Sequence, residues 1–481
     1  MENFPNARHG AAPLTRRQVL RTFANGFGML GLSGLLADES KRRSAPSPSG
    51  NLLQLKPPPS PARAKRIIFL FMGGGPSQVD LFDPKPLLNN YDGQPPPFEL
   101  PKLERTKTGN LLGSTFRFKK HGRAGTDVSE LFPQVATCVD DLCVIRSMVT
   151  DNINHNGACL QMNTGEQAFS RPSLGSWLLY GLGTENQNLP GFVVLSPNQP
   201  AQGAALYGSS FLPASFQGTF VSELNDPIAN LRNPRFSTQR QRHQLDTLKQ
   251  LNRWHREQRE EDSRLTARIQ SFELAFRMQA QAPEAFDLAG ESPETKKLYG
   301  MDDVTTEIFG KQCLMARRLV ERGVRMVQIY HTQTSKTKSC QLWDQHGNLI
   351  GGLRENCAAT DLPLAGLIKD LKGRGLLDDT LVIWGGEFGR TPTAEGTNGR
   401  EHHPFGFTMW LAGGGVKGGL TYGATDEFGW HAVENRVHLH DLHATILHLM
   451  GIDHEQLTYR YSGRDYRLTD VYGKVVKDIL A

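Results

Sequence analysis

Arg66-Ile67-Ile68-Phe69-Leu70-Phe71-Met72 is an almost unbroken apolar run of strand length, and it ends in Gly73-Gly74-Gly75-Pro76-Ser77. A strand with one wet face alternates apolar and polar residues, whereas a run without alternation is buried on both faces, as in a parallel sheet covered by helices. Similar runs recur at 142–145, 192–195, 324–330, 381–384 and 407–411, with helical patterns between several of them. The clearest unit predicts a helix over 362–374, Gly373 and Gly375 as stop signals, a turn at Asp378-Asp379-Thr380, and a strand over 381–384. The fold class expected is α/β: a doubly wound, mostly parallel sheet with helices on both faces. In such sheets ligands collect at the carboxyl ends of the strands.

The sheet pattern starts only at about residue 65. Ahead of it, Thr15-Arg16-Arg17-Gln18-Val19-Leu20-Arg21 precedes a weakly apolar, Gly-rich stretch from Phe23 to Ala37. A basic region, paired arginines and an apolar segment too short to span a bilayer read as a twin-arginine export signal over 1–37. Residues 38–64, rich in Ser, Pro, Lys and Arg, read as a disordered linker, and 65–481 as one domain. Export places that domain in the periplasm or at the cell surface. Contact with a membrane is expected only through the export machinery or an uncleaved signal. Between about 235 and 300 the composition shifts to Gln, Arg and Glu, with leucines and phenylalanines at helical spacing. This is expected to be an amphipathic helical insertion whose charged face is solvated.

Net charge narrows the partners. The chain carries +5, and residues 1–45 hold seven basic groups against three acidic ones, so the body is close to neutral. A near-neutral body without a basic stripe lacks the footprint of nucleic-acid binding. The six cysteines (138, 143, 159, 313, 340 and 357) would meet an oxidising compartment after export, and sequence leaves both disulfides and buried thiols open.

Eight of the fifteen histidines lie between 402 and 454, and polar groups stand after several strands. Trp343-Asp344-Gln345-His346 puts a carboxylate two residues from an imidazole, a spacing suited to a divalent cation. Gly385-Gly386-Glu387-Phe388-Gly389-Arg390 leaves a buried strand, where Glu387 needs a cation or Arg390 beside it. His402 and His403 are expected in a loop as one ligand and one supporting contact. Asn152-Ile153-Asn154-His155-Asn156-Gly157 follows the strand that ends near Ser147.

Together with Asp80, the Asp-Asp-Thr-Leu-Val-Ile strand and the closing His440-Asp441-Leu442-His443-Ala444-Thr445-Ile446-Leu447, these motifs resemble the sulfatase-like family catalogued as domain of unknown function fifteen-oh-one. That family is similar to the alkaline phosphatase superfamily. The resemblance covers about 65–481 and implies a metal site acting on phosphate or sulfate esters, of a small molecule or a polysaccharide. It implies a divalent metal, Zn or Ca, on Asp344, His346, Glu387 and His402 or His403. Gly74 stands where the superfamily carries its first-strand carboxylate, which leaves Ser77 and Asp80 as candidates. The superfamily's nucleophile falls some nine residues before a Thr-Gly pair, and counting back from Thr164 reaches His155. No Cys/Ser-x-Pro-x-Arg sequence is present, so formylglycine chemistry is not implied. The expected catalytic residues are therefore His155, as nucleophile, base or ligand, and Arg390. The alternative is a binding or scaffolding protein on the same fold with a degenerate site.

Overall fold

The backbone places strands where the apolar runs predict them. In a computed structural model, the described residues are 51–99, 109–222, 236–257, 263–332 and 342–481. The stretch read as an export signal, the expected linker as far as residue 50 and Cys340 lie outside them.

The central sheet draws on strands β1 (Arg66–Phe71), β2 (Leu142–Val149), β3 (Phe192–Leu195), β4 (Thr219–Val221), β5 (Met326–Tyr330) and β6 (Thr380–Gly385). A hairpin of β7 (Gly389–Glu395) and β8 (Gly399–His403) follows, and then β9 (Phe407–Ala412), β10 (Leu420–Tyr422) and β11 (Val437–His438) rejoin the sheet. Its order is β10-β2-β9-β6-β1-β5-β3-β4, with β11 also pairing β2. Every pairing is parallel except those of β9, which runs antiparallel to both β6 and β2. The unbroken run in β9 reports burial on both faces, not direction. The β7–β8 hairpin ahead of it adds one reversal of the chain.

Seven helices matter here: α1 (His155–Thr164), α2 (Leu174–Leu182), α3 (Thr238–Glu257), α4 (Ser263–Phe286), α5 (Glu307–Glu321), α6 (Leu349–Gly373) and α7 (Leu439–Leu449). Successive β1 side chains point to opposite faces. Ile68 and Leu70 pack with residues of α4, α5 and α6, while Ile67, Phe69 and Phe71 pack with residues of α1, α2 and α7. The sheet is therefore covered on both sides, as the runs predict. α6 begins thirteen residues before the predicted helix, and Pro363 lies inside it.

The chain from Leu52 to Ala481 forms one compact unit. The domain does not wait for residue 65: Leu53 is buried, and the amides of Lys56, Ser60 and Arg63 donate to the carbonyls of Leu182, Gly451 and Leu449. Prolines that block regular structure do not prevent such tethering of an extended segment. Cys138, Cys143, Cys159, Cys313 and Cys357 are buried free thiols. Among the described residues no helix is long and apolar enough to cross a membrane.

Candidate metal centre

Parallel strands that share a direction release their loops at one edge, and three such loops meet there with the β7–β8 hairpin that continues the third. β2 leads through residues 150–154 into His155, the first residue of α1. β5 precedes the segment that carries Asp344 and His346, β6 runs into Glu387, and β8 carries His402. The close approach depends on Gly74, at φ +114°, where a Cβ would sit 2.6 Å from the Asp344 amide nitrogen.

Asp344 is the hub. Its carboxylate lies 3.2 Å from His155 Nε2, 2.9 Å from His346 Nε2 and 3.1 Å from His402 Nε2. His346 Nε2 and His402 Nε2 are 3.0 Å apart. Candidate ligand atoms of these four residues all fall within 4.8 Å of one another.

The outer ring nitrogens decide what the inner ones can do. His155 Nδ1 lies 2.7 Å from Glu387 Oε1, His402 Nδ1 lies 2.7 Å from the Ile153 carbonyl oxygen, and His346 Nδ1 contacts Glu395 Oε2. A carboxylate and a carbonyl only accept, so each Nδ1 carries a hydrogen, and in the neutral ring, the form that binds a metal, Nε2 turns a lone pair inward. Three lone pairs and a carboxylate facing one another repel unless a metal ion or a proton lies among them, and His155 Nε2 is buried without a hydrogen-bond partner. The donor set fits a divalent metal. Imidazoles oriented through their far nitrogen are the usual ligands of such ions.

Two other groupings satisfy distance but not tautomer. Asp151, His438 and His440 come together, yet His438 Nδ1 accepts the His440 amide N–H at 3.2 Å. The hydrogen of His438 therefore sits on Nε2 and is donated to Asp151 at 3.0 Å, which leaves no inward lone pair. The grouping of His346, Glu395 and Glu401 would use the His346 Nδ1 that already donates to Glu395.

Electrostatics follow from the same contacts. Burial raises the Asp344 pKa, but the three imidazoles and the Arg390 charge outweigh it and hold the carboxyl far below the usual carboxylate range. Burial disfavours the His155 imidazolium, yet Asp344 and Glu387 carry its pKa up to about 9 without a metal. For His402 burial dominates and its pKa falls. The Phe388 ring packs against both His402, at 4.5 Å between centroids, and His155, at 5.0 Å.

Not every expected residue reaches the centre. Glu387 stands behind His155 as its hydrogen-bond acceptor. It also accepts the Gly74 N–H at 2.9 and 3.1 Å, so the glycine that replaces the expected carboxylate contributes its amide. Asp80 is buried in an ion pair with Arg400 at 2.8 Å and accepts the Ser77 hydroxyl at 2.6 Å, so neither Ser77 nor Asp80 is available to the centre. His403 points the other way, because neighbouring strand residues face opposite sides, and its Nε2 meets the Trp430 carbonyl at 2.5 Å. Burial takes its pKa down to about 4. Arg390 is fully buried, and its guanidinium donates to Gly75 O at 3.1 Å, Arg400 O at 3.0 Å, Gly74 O and Asp344. It positions Asp344 and does not pair with Glu387. Glu395, the Ile153 carbonyl and Phe388 are supporting groups that sequence reasoning missed. Glu395 is legible only once residues 389–403 are seen as a hairpin, which sets it beside His346.

The family described as "Protein of unknown function (DUF1501)" matches residues 64–480. The chain belongs to the DUF1501 family. No curated protein matches it. Among solved structures, this DUF1501 protein is similar to a lipoteichoic acid synthase from Listeria monocytogenes, at 10% identity and a TM-score of 0.33 over 87% of this chain and 78% of that one. It is also similar to a sulfatase from a Pseudoalteromonas species, at 13% identity and 0.34 over 82% and 69%. A third similar structure is a TAB5 alkaline phosphatase variant with Mg bound, at 12% identity and 0.33 over 75% and 92%. At such low identity these are loose likenesses, and the chemistry of the centre rests on the chain's own residues.

Proposed function

We propose that this protein is an exported, metal-dependent hydrolase of sulfate or phosphate esters. The observation that carries this reading is the orientation of His155, His346 and His402, each with its outer nitrogen on an acceptor and its inner one beside Asp344. Three nitrogens and one carboxylate suit a borderline transition metal such as Zn, whereas Ca takes six to eight oxygens, roughly.

When bound there, such an ion supplies Lewis acidity toward an ester oxygen and acidifies water. The protein's own groups prepare that step. Asp344, His155, His346 and His402 would hold the ion, while Glu387, Glu395 and the Ile153 carbonyl keep the imidazoles in the ligating tautomer. Arg390 fixes Asp344, and Phe388 closes the inner side against water. His155 opens α1, so the positive end of that helix dipole lies at the centre and favours an anionic group. In this reading His155 is a ligand, and the attacking oxygen comes from water. The export signal remains part of the proposal and rests on Arg16-Arg17 and the stretch that follows.

One observation favours the second reading, a binding protein on the same fold. Arg390, whose guanidinium reaches Asp344, is fully buried and turns three further donors onto backbone carbonyls. Metal analysis of protein isolated in folded form, then turnover of nitrophenyl phosphate and nitrophenyl sulfate before and after chelation and with His155→Ala, separates the two. Stoichiometric metal with chelator-sensitive turnover supports the hydrolase. Bound metal without turnover supports the binding protein, and absence of both removes the centre.

A further inference from the structure

The outlying helix α3 packs against α4 through polar groups and turns apolar ones outward. Gln241 accepts the Gln279 side-chain amide at 2.8 Å, and Arg242 forms a two-point ion pair with Glu273 at 2.8 and 2.9 Å over the Phe276 ring. Leu248, Leu251 and Trp254 follow at three-residue steps and are 43%, 51% and 65% exposed, and Phe272 of α4 is also exposed. This inverts the usual amphipathic arrangement, in which the apolar stripe faces the protein. Solvation of a charged face, which the sequence suggests for this region, does not account for exposed leucines and a tryptophan.

Charge indicates what covers the face. α3 carries Arg240, Arg242, Lys249, Arg253 and Arg256 against Asp246 and Glu257. Arg240 and Lys249 are exposed. A mostly polar helix with excess cationic groups and an outward Trp beside leucines is the combination that seats in the headgroup region of a bilayer. A stable pairing with a second copy would call for a longer apolar seam than three residues of drifting spacing provide. We propose that α3 is a docking face for an anionic lipid surface, with Leu248, Leu251 and Trp254 entering the headgroup layer and Arg240 and Lys249 meeting lipid phosphates.

Trp254 makes the test selective, because the other five tryptophans (177, 343, 384, 410 and 430) are each under 2% exposed. The full chain is mixed with vesicles of phosphatidylcholine alone or with added phosphatidylglycerol, and co-sedimentation and acrylamide quenching are read. Any contribution from residues 23–37 is common to all variants. Association with the anionic vesicles, weakened by salt, with quenching of Trp254 reduced severalfold is expected. Leu248→Gln with Leu251→Gln, Lys249→Glu, and Trp254→Gln should each cut association by about fivefold or more, with circular dichroism unchanged. The proposal is overturned if folded variants sediment like the parent. It is equally overturned if Trp254 becomes protected by raising protein concentration alone, with a doubled mass on size exclusion, since a second copy would then be the occupant.

Discussion

Replacing Glu387 by Gln removes one negative charge behind His155, a ligand in the proposed reading, and leaves shape almost unchanged. Glu387 has a side chain 1% exposed, lies 2.7 Å from His155 Nδ1 and lies 2.9 Å from the Gly74 amide. The amide oxygen of Gln can still accept, but it no longer raises the basicity of His155 or fixes its tautomer as firmly. Loss of such a partner weakens metal binding by about 10- to 100-fold, or roughly 1.4 to 2.7 kcal/mol. Metal at 100 times its Kd stabilises the parent by about 2.7 kcal/mol, and the variant at the same concentration by only about 0.4 to 1.4 kcal/mol. Unfolding roughly 430 residues carries an entropy near 0.9 kcal/mol/K, so the metal-induced rise in Tm should be ~3 °C for the parent and ~0.5 to 1.5 °C for the variant. Competition with a chromophoric zinc chelator gives the affinities directly, and the Co(II) absorption spectrum reports the ligand set. Asp151→Asn is the control, since the His438 tautomer excludes that grouping from binding the ion. Equal affinity in Glu387→Gln and the parent, or a loss in Asp151→Asn matching that in Glu387→Gln, would refute the reasoning.

Gly74→Ala should cost roughly 3 kcal/mol or more, read as a lower urea midpoint with lost metal binding, because its Cβ would press on backbone at 2.6 Å from a φ of +114°. An unchanged midpoint would show that the Asp344 loop can yield. His403→Gln should reduce stability, since the ring fills a buried site against Trp430, while metal affinity stays within about twofold; a larger drop would return His403 to the ligand set. Stability should also fall with acid. Burial lowers the pKa of His331 to about 4 and that of His443 to about 3, below the ordinary value. With folded pKa values depressed, the neutral imidazoles contribute fully above about pH 6.5, and each loses about 2 kcal/mol of that by pH 5. His443→Gln should flatten the fall of the urea midpoint over that range, and an unchanged slope would assign the acid lability elsewhere.

Much of the fold was legible in the sequence because burial on both faces writes itself as an unbroken apolar run, and the runs at 66–72, 142–145, 192–195, 324–330, 381–384 and 407–411 all mark strands of the sheet. Direction is not written that way, so β9 gave no sign of running antiparallel. Neither was the β7–β8 hairpin visible, since its buried residues include Arg390, Thr391, Thr393, Arg400, Glu401 and two histidines, polar groups that no apolar run marks. The site was legible as a set of strand ends: His155, Asp344, His346 and His402 do meet. Asp80 looked equally suitable, and only the presence of Arg400 against it shows that its charge is already neutralised.

Residue type could not separate ligand from support, because the distinction lies in which nitrogen carries a proton. His402 and His403 are adjacent and identical in chemistry, yet one places Nδ1 on a carbonyl and Nε2 at the centre, and the other reverses this by meeting a carbonyl with Nε2. His438 lies beside a carboxylate just as His155 does, but a backbone N–H on its Nδ1 forces the hydrogen to the side where an ion would need a lone pair. The hydrogen-bond partner of the far nitrogen therefore decides whether a histidine beside an acid is a ligand or a brace. A search for metal sites in this family should examine that far nitrogen before it counts histidines.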